Sequence, residues 1–276
     1  ASNFQVMKEC IEPGCDEHLK STSGLTGGDA FKLRRYSEAA KALPVLPFGA
    51  LYRALAVSEL NASMGRIVAA PTAGSCGILP AALITMQEEK GCSDHDCVMA
   101  LFTASAVGMV IANNASLAGA QGGCQAECGS AAAMAAAAIT ELAGGTPNGL
   151  PGSCHCLKNI LGLVCDPVAG LVEIPCIKRN ASGVAGVLCC CGMALAGIDS
   201  AIPADEVIWS MKRIGDVMSP TLKETAEGGL AATQQEEGFT TRYSVLATFP
   251  ADAAAVPAVI HKFHGYLAID RITAFY

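Results

Sequence analysis

The sequence predicts a mainly α protein: a compact bundle of buried helices rich in small residues. Three observations lead there. Hydrophobic residues make up 51% of the 276 positions but aromatics only 5%, so the apolar mass is largely alanine, with 29 glycines and 14 cysteines beside it. Long stretches carry no charge, notably between Asp96 and Glu127 and from Ala181 to Ile198. The two-residue alternation of strands is scarce. The length allows one large or two modest domains with a sizeable core, and low charge with high apolar content excludes wholesale disorder.

In chain order, residues 1 to about 45 read as mixed and polar, with Ser23-Gly-Leu-Thr-Gly-Gly28 marking a loop. A helical pattern runs through Leu51, Leu55, Val57 and Leu60 and stops near Asn61-Ala-Ser-Met-Gly65. A short apolar run, Ile67 to Ala70, leads into the loop Pro71-Thr-Ala-Gly-Ser-Cys-Gly77. Leu79 to Glu89 reads as a helix with Pro80 in its first turn, where proline is tolerated. A long helix is expected from about Asp94 to Ala112, then a glycine-rich bend over Gly119–Gly123. An alanine-rich helix follows from about Gln125 to Ala143, alanine having the best intrinsic helix propensity. Residues 146 to 156 read as loop, and Cys165 to Cys176 as a second irregular segment held by Pro167, Gly170 and Pro175. Further helices are expected at about Arg179–Leu195 and Ala204–Met218. After Gly228-Gly-Leu-Ala-Ala-Thr233 the small-residue texture gives way to a different composition. This divides a helical domain over 1–233 from an atypical tail over 234–276, disordered or non-native.

Eighteen basic residues against 25 acidic give a net charge of −7. With no basic stripe, nucleic-acid binding is not expected. The two uncharged runs are long enough to be tested as membrane spans. The first contains Asn113, Asn114 and Gln121, however, and the second is poor in Leu, Ile and Phe and has no Trp or Tyr at its borders. Both therefore read as helices buried on all sides within a soluble protein. The start, ASNFQVMKEC, lacks the apolar core of a signal peptide, so a cytosolic chain is expected, although it does not open on Met.

Fourteen cysteines in a chain this long and core-rich do not read as a disulfide framework. Cys189, Cys190 and Cys191 read as packing. Cys124-x3-Cys128 places two thiols on one helix face, Cys154-His-Cys156 is a short thiol–imidazole group, and Cys92-x4-Cys97 a loose pair. None matches a complete zinc pattern. Cys165 and Cys176 bracket a loop stiffened by two prolines. This spacing suits iron–sulfur ligation and a proline-capped helix junction with two buried thiols equally.

The Pro71–Gly77 loop can turn backbone N–H groups toward a carboxylate at the start of the next helix, but it lacks the Gly-Lys-Ser/Thr of a phosphate loop. Asn113-Asn114-Ala-Ser116 and Gly119–Gly123 bring polar groups between apolar helices, as a lined pocket or a satisfied polar bend. No G-x-S-x-G elbow or G-x-G-x-x-G fingerprint is present, and no lysine sits in a glycine-rich phosphate cup.

Four long segments in order carry a resemblance: Asn61 to Pro80, Asn114 to Glu127, Cys165 to Asn180, and Gly228 to Thr233. Together they resemble the α chain of iron–sulfur L-serine dehydratases, over about Ser21 to Thr233. The resemblance implies an L-serine ammonia-lyase that releases pyruvate and ammonia without pyridoxal phosphate. It implies a [4Fe–4S] cluster on interhelical loops with Cys124, Cys165 and Cys176 as its ligands, leaving one iron open as a Lewis acid for the departing hydroxyl. The other cysteines fall outside those positions. Thr72, Gly74 and Ser75 are the candidates for holding the substrate carboxylate, with Asn114, Ser116 and Gln125 lining the same pocket. Arg179 and Asn180 are expected to support the second cluster loop.

The resemblance names no general base. It implies a β subunit that completes the enzyme and carries the base, so this chain alone is expected to be inactive. Some single-chain relatives end in a cysteine that occupies the open iron; this chain ends Ala274-Phe-Tyr276 and is expected to lack that device. Two alternatives stay open: the same scaffold acting on threonine or cysteine, and a non-catalytic helical protein that binds a cluster.

Overall fold

The computed structural model describes residues 1–39, 47–145 and 150–233, and within them the chain is helical apart from turns and one isolated bridge. In order the helices are α1 (Ser2–Glu9), α2 (Ile11–Gly14), α3 (Asp29–Ser37), α4 (Phe48–Ala62), α5 (Ile78–Lys90), α6 (Asp94–Asn114), α7 (Gly119–Gly122), α8 (Cys124–Leu142), α9 (Leu150–Asn159), α10 (Cys176–Leu195) and α11 (Ala204–Val217). Three short 3₁₀ turns complete it at Val168–Gly170, Pro220–Leu222 and Gly229–Ala232.

Helix α8 is the axis of the molecule. Ala131 to Ala138 are all buried, because α5, α6, α9 and α10 pack around it on several sides. Alanine suits this place: it has high helix propensity and a side chain short enough to let neighbouring helices approach closely. Helix α10 packs in turn on α4, α5 and α9. A capping box starts α6, where the Ser93 hydroxyl accepts from Asp96 N–H and the Asp96 carboxylate accepts from Ser93 N–H. Helix α3 is capped from outside: the buried Glu59 of α4 accepts from the N–H groups of Asp29 and Ala30 at 2.9 and 3.0 Å, placing an anion at the positive end of the helix. Helix α11 is amphipathic. Val207, Ile208 and Met211 join Ile111, Ala133 and Leu157 in a smaller core, while Trp209 stays exposed.

Three expectations are corrected. The polar opening segment forms α1, α2 and α3 and buries Phe4, Val6, Met7, Cys10 and Ile11 in the main core. Part of the loop expected over 146–156 is helix α9. Packing on α8 outweighs the turn-forming Gly152 and Ser153, and the Ser153 hydroxyl is satisfied by donating to Ala133 O. Residues 146–149 lie outside the described residues, as does the tail 234–276. Finally, the two uncharged runs are not buried on all sides. Helix α6 presents Met99, Phe102, Met109 and Val110 outward, and α10 exposes Leu195. Helix α6 is also the one described helix long and apolar enough to cross a membrane by length and composition, with 33% of its most apolar window buried.

Candidate functional site

Two of the three predicted cluster cysteines open helices, and the third sits in an extended segment between them. Cys124 is the first residue of α8 and follows Gly123, whose φ of 76° turns the chain out of α7. A Cβ at Gly123 would lie 2.8 Å from Leu163 O, so only glycine fits this close approach. Cys165 is fixed by an isolated parallel bridge to Lys223: its N–H donates to Leu222 O at 2.9 Å, and its carbonyl accepts from Glu224 N–H at 2.8 Å. Cys176 is the first residue of α10. All three thiols are buried and free of disulfides.

Arg179 and Asn180, one turn into α10, tie these segments together. The Arg179 guanidinium donates to Cys124 Sγ at 3.3 Å and to Val164 O at 3.0 Å, and it pairs with Asp166 at 2.8 Å. Asp166 also accepts from Leu230 N–H at 2.9 Å. A Cβ at Gly229 would fall 2.6 Å from that carboxylate, so the Gly228–Thr233 motif is the backbone clamp that closes over Asp166. Asn180 is fully buried. Its amide accepts from Gly77 N–H at 2.9 Å and donates to Gly74 O and Cys176 O at 2.8 and 3.0 Å. One side chain thereby joins the Pro71–Gly77 loop to the cysteine at the start of α10. On the far side of the 165–176 segment, Glu173 accepts from the hydroxyls of Ser23 and Thr26 at 2.8 and 2.6 Å, docking the Ser23–Gly28 loop.

The residue that sequence reasoning passed over is Glu127. It closes the Asn114–Glu127 segment, and nothing in the sequence marks it out. Three positions after Cys124 it lies on the same face of α8, and the donor atoms of Cys124, Glu127 and Cys165 all lie within 4.8 Å of one another. The Thr72 hydroxyl donates to Glu127 Oε1 at 2.5 Å and contacts Ser75 Oγ at 2.9 Å. A Cβ at Gly74 would stand 2.6 Å from the same carboxylate oxygen. Burial, and then the charge of Cys124, pushes the Glu127 carboxyl up to about 8, with the Thr72 hydrogen bond opposing. Thiol hydrogen bonds from Cys128 and Cys165, aided by Arg179, hold Cys124 far below the usual thiol range against the effect of burial. Burial and the charges of Cys124 and Glu127 push Cys176 up. Glu224 also feels Cys124, although burial is the larger cause of its upward shift. Cys128, which falls outside the ligand positions, lies one turn on from Cys124 and is buried beside it.

Thr72, Gly74 and Ser75 thus gather with Glu127, Cys124 and Cys165. Asn114 is exposed and donates to Val110 O of its own helix. Ser116 donates to Gln121 Oε1 and lines an open cleft of about 400 Å³ with Gln121, Lys212, Asp216 and Lys223. Gln125 is fully buried, donating to Met211 O and accepting from Gly162 N–H. Cys154 and Cys156 are buried in α9 two positions apart, and so do not share a helix face.

The comparisons with known proteins give the family. The chain matches the family model described as serine dehydratase alpha chain over residues 1–231. It is 52% identical over 233 residues to a protein of Bacillus subtilis (strain 168) named "Probable L-serine dehydratase, alpha chain", covering 84% of this chain and 77% of that one. It is 50% identical over 186 residues to the "L-serine dehydratase, alpha chain" of Peptoniphilus asaccharolyticus, covering 67% and 64%. Against the "L-serine dehydratase" of Streptomyces coelicolor it is 41% identical over 236 residues, covering 83% of this chain and 51% of that protein, so it spans about half the length of that relative. With four motifs converging on one buried thiol site and the match spanning nearly all described residues, the chain belongs to the serine dehydratase alpha chain family.

Proposed function

We propose that the chain is the cluster-binding subunit of an L-serine dehydratase, eliminating water from L-serine to give pyruvate and ammonia. The observation that carries this is the thiol site itself: Cys124 and Cys165 drawn together, Cys176 at the start of α10 where Asn180 ties it to the Pro71–Gly77 loop, and the Arg179 guanidinium on Cys124. The donor set fits an iron–sulfur cluster. The thiols are buried and in no disulfide, a cation lies against Cys124, and the backbone segments that carry them are held by Arg179, Asn180 and Asp166. When bound, the cluster supplies a Lewis-acidic iron that stabilises a departing hydroxide.

This chain's residues then have separate tasks. Cys124, Cys165 and Cys176 hold the cluster, and Arg179 lowers the cost of their negative charge in a buried place. Thr72 and Ser75, on the loop leading into α5, orient the serine carboxylate, and Asn180 keeps that loop in register with Cys176. The group that takes the Cα proton is placed on a second subunit. That placement is supported by the alpha-chain naming of the relatives, and the composition supports a cytosolic enzyme.

Anaerobic reconstitution with iron and sulfide, followed by a serine-to-pyruvate assay with and without a β subunit, tests the reading. The expected result is about four irons and four sulfides per chain, with pyruvate formed only when the partner is present. L-threonine, run in parallel, is expected to turn over more slowly. Cys165→Ser is expected to lose the cluster signal and activity together; full activity in that variant would reject the ligand set. Unchanged KM and kcat in Thr72→Val would remove the loop from the mechanism.

A further inference from the structure

The arrangement around Glu127 has the dimensions of a single metal ion. Bound to one tetrahedral cation at about 2.3 Å for thiolate and about 2.0–2.2 Å for carboxylate, two sulfurs and an oxygen would lie about 3.5–3.8 Å apart. The donor atoms of Cys124, Glu127 and Cys165 already lie within 4.8 Å of one another, so they need close by only about 1 Å to reach that geometry. Cys176 is not part of this close group. Thiolates that share one ion sit closer together than thiolates bound to different irons of a cluster, so the two occupancies call for different spacings of the same cysteines.

Around these buried donors the backbone leaves room beside Cys165 and Glu127, while the Arg179 guanidinium lies against Cys124. Of the two Glu127 oxygens, Thr72 donates to Oε1. Gly119 presents bare backbone: a Cβ there would stand 2.9 Å from Cys165 Sγ and 3.5 Å from Glu127 Oε2. Gly74 does the same against Oε1. Two glycines therefore leave clear the space where a side chain would crowd Cys165 and Glu127. Two sulfurs and one carboxylate form a donor set for a thiophilic divalent cation, with a fourth position open to water.

We propose that Cys124, Glu127 and Cys165 form a binding site for one thiophilic divalent cation in the cluster-free chain, sharing two thiols with the three-cysteine cluster set but using Glu127 in place of Cys176. Glu127 is the oxygen ligand of this site, and Cys176 joins only when a cluster replaces the single ion. The thiol protons leave as the cation enters. The site supplies a place for the first iron during cluster assembly, and for Zn²⁺ when it competes with iron. The inference rests on Cys124 and Cys165 being metal-binding thiols, as in the function proposed above, but not on the cluster itself.

Anaerobic titration of the cluster-free full chain with Co²⁺ reads the site directly through thiolate-to-cobalt charge-transfer absorption. One Co²⁺ per chain is expected, with Cys124→Ser and Cys165→Ser each losing thiolate intensity. Glu127→Gln is expected to weaken binding by about tenfold or more, with Glu127→Asp restoring part of the affinity. Cys176→Ser and Cys128→Ser are expected to bind as the unsubstituted chain does. Far-UV circular dichroism identifies any variant that has failed to fold, and the aspartate variant then decides the role of the carboxylate. If Cys176→Ser loses Co²⁺ as fully as Cys165→Ser, or if both Glu127 variants bind like the unsubstituted chain, the proposal is overturned and the cluster reading still stands. If Co²⁺ binds as expected but iron and sulfide assemble no cluster, the site stands and the cluster reading fails.

Discussion

Arg179 serves three partners with one guanidinium: the Cys124 thiol, the Val164 carbonyl and the Asp166 carboxylate. Its planar fork of donors makes this arrangement possible, and lysine cannot reproduce it. The Asp166 side chain is only 4% exposed, so removing the arginine leaves a buried carboxylate without its ion pair. Arg179→Ala is expected to cost about 3 kcal/mol in urea unfolding and to lower the iron retained after reconstitution, while Arg179→Lys recovers only part of each. Glu127 shows the limit of reading residues singly. An acid three positions after a cysteine is an ordinary pattern, and its proximity to Cys165 and Thr72, 38 and 55 positions away, exists only once the chain has folded.

At the scale of elements, the alanine-rich α8 works because neighbouring helices press on it around most of its surface. Its Ala135 is fully buried in the main core, and overpacking there forces helices apart. Ala135→Leu is expected to destabilise by about 1–3 kcal/mol, seen as a lower denaturation midpoint with an unchanged slope. The candidate site draws more on the starts of helices than on their middles. Cys124 and Cys176 each open a helix, and the Thr72 loop leads into α5. Gly123, Pro175 and Gly77 precede these helices, so the glycine and proline punctuation that marks loops in the sequence also marks the edges of the site.

Across the whole molecule, distant segments are joined by a few charged contacts. Asp29 at the start of α3 bonds Lys178 of α10 at 2.5 Å and Lys32 at 3.0 Å. Burial pushes the Asp29 carboxyl up, but the hydrogen bonds and charges of the two lysines outweigh it and leave it below its ordinary 3.8. Because the folded value is depressed, the stability it contributes is present above its unfolded pKa and is lost as pH falls through the folded one. The stability difference between the unsubstituted chain and Asp29→Asn, measured by urea unfolding, is expected to be constant above about pH 5 and to shrink below about pH 4. A constant difference down to pH 3 would remove this contact from the acid response. The sequence by itself determined the helical class, the extents of α4, α5, α6, α8, α10 and α11 to within a few residues, and the motifs that mark Cys124, Cys165 and Cys176. These features are local: helix propensity, Gly and Pro punctuation, and motif order need no knowledge of the fold. Tertiary structure decided that α6 has a solvent-facing apolar stripe, that α9 is a helix, and that the polar start buries Phe4 and Met7. It also brought Glu127, Thr72 and Cys165 together, because burial and long-range contact depend on which surfaces meet, and residues far apart in the chain settle that jointly.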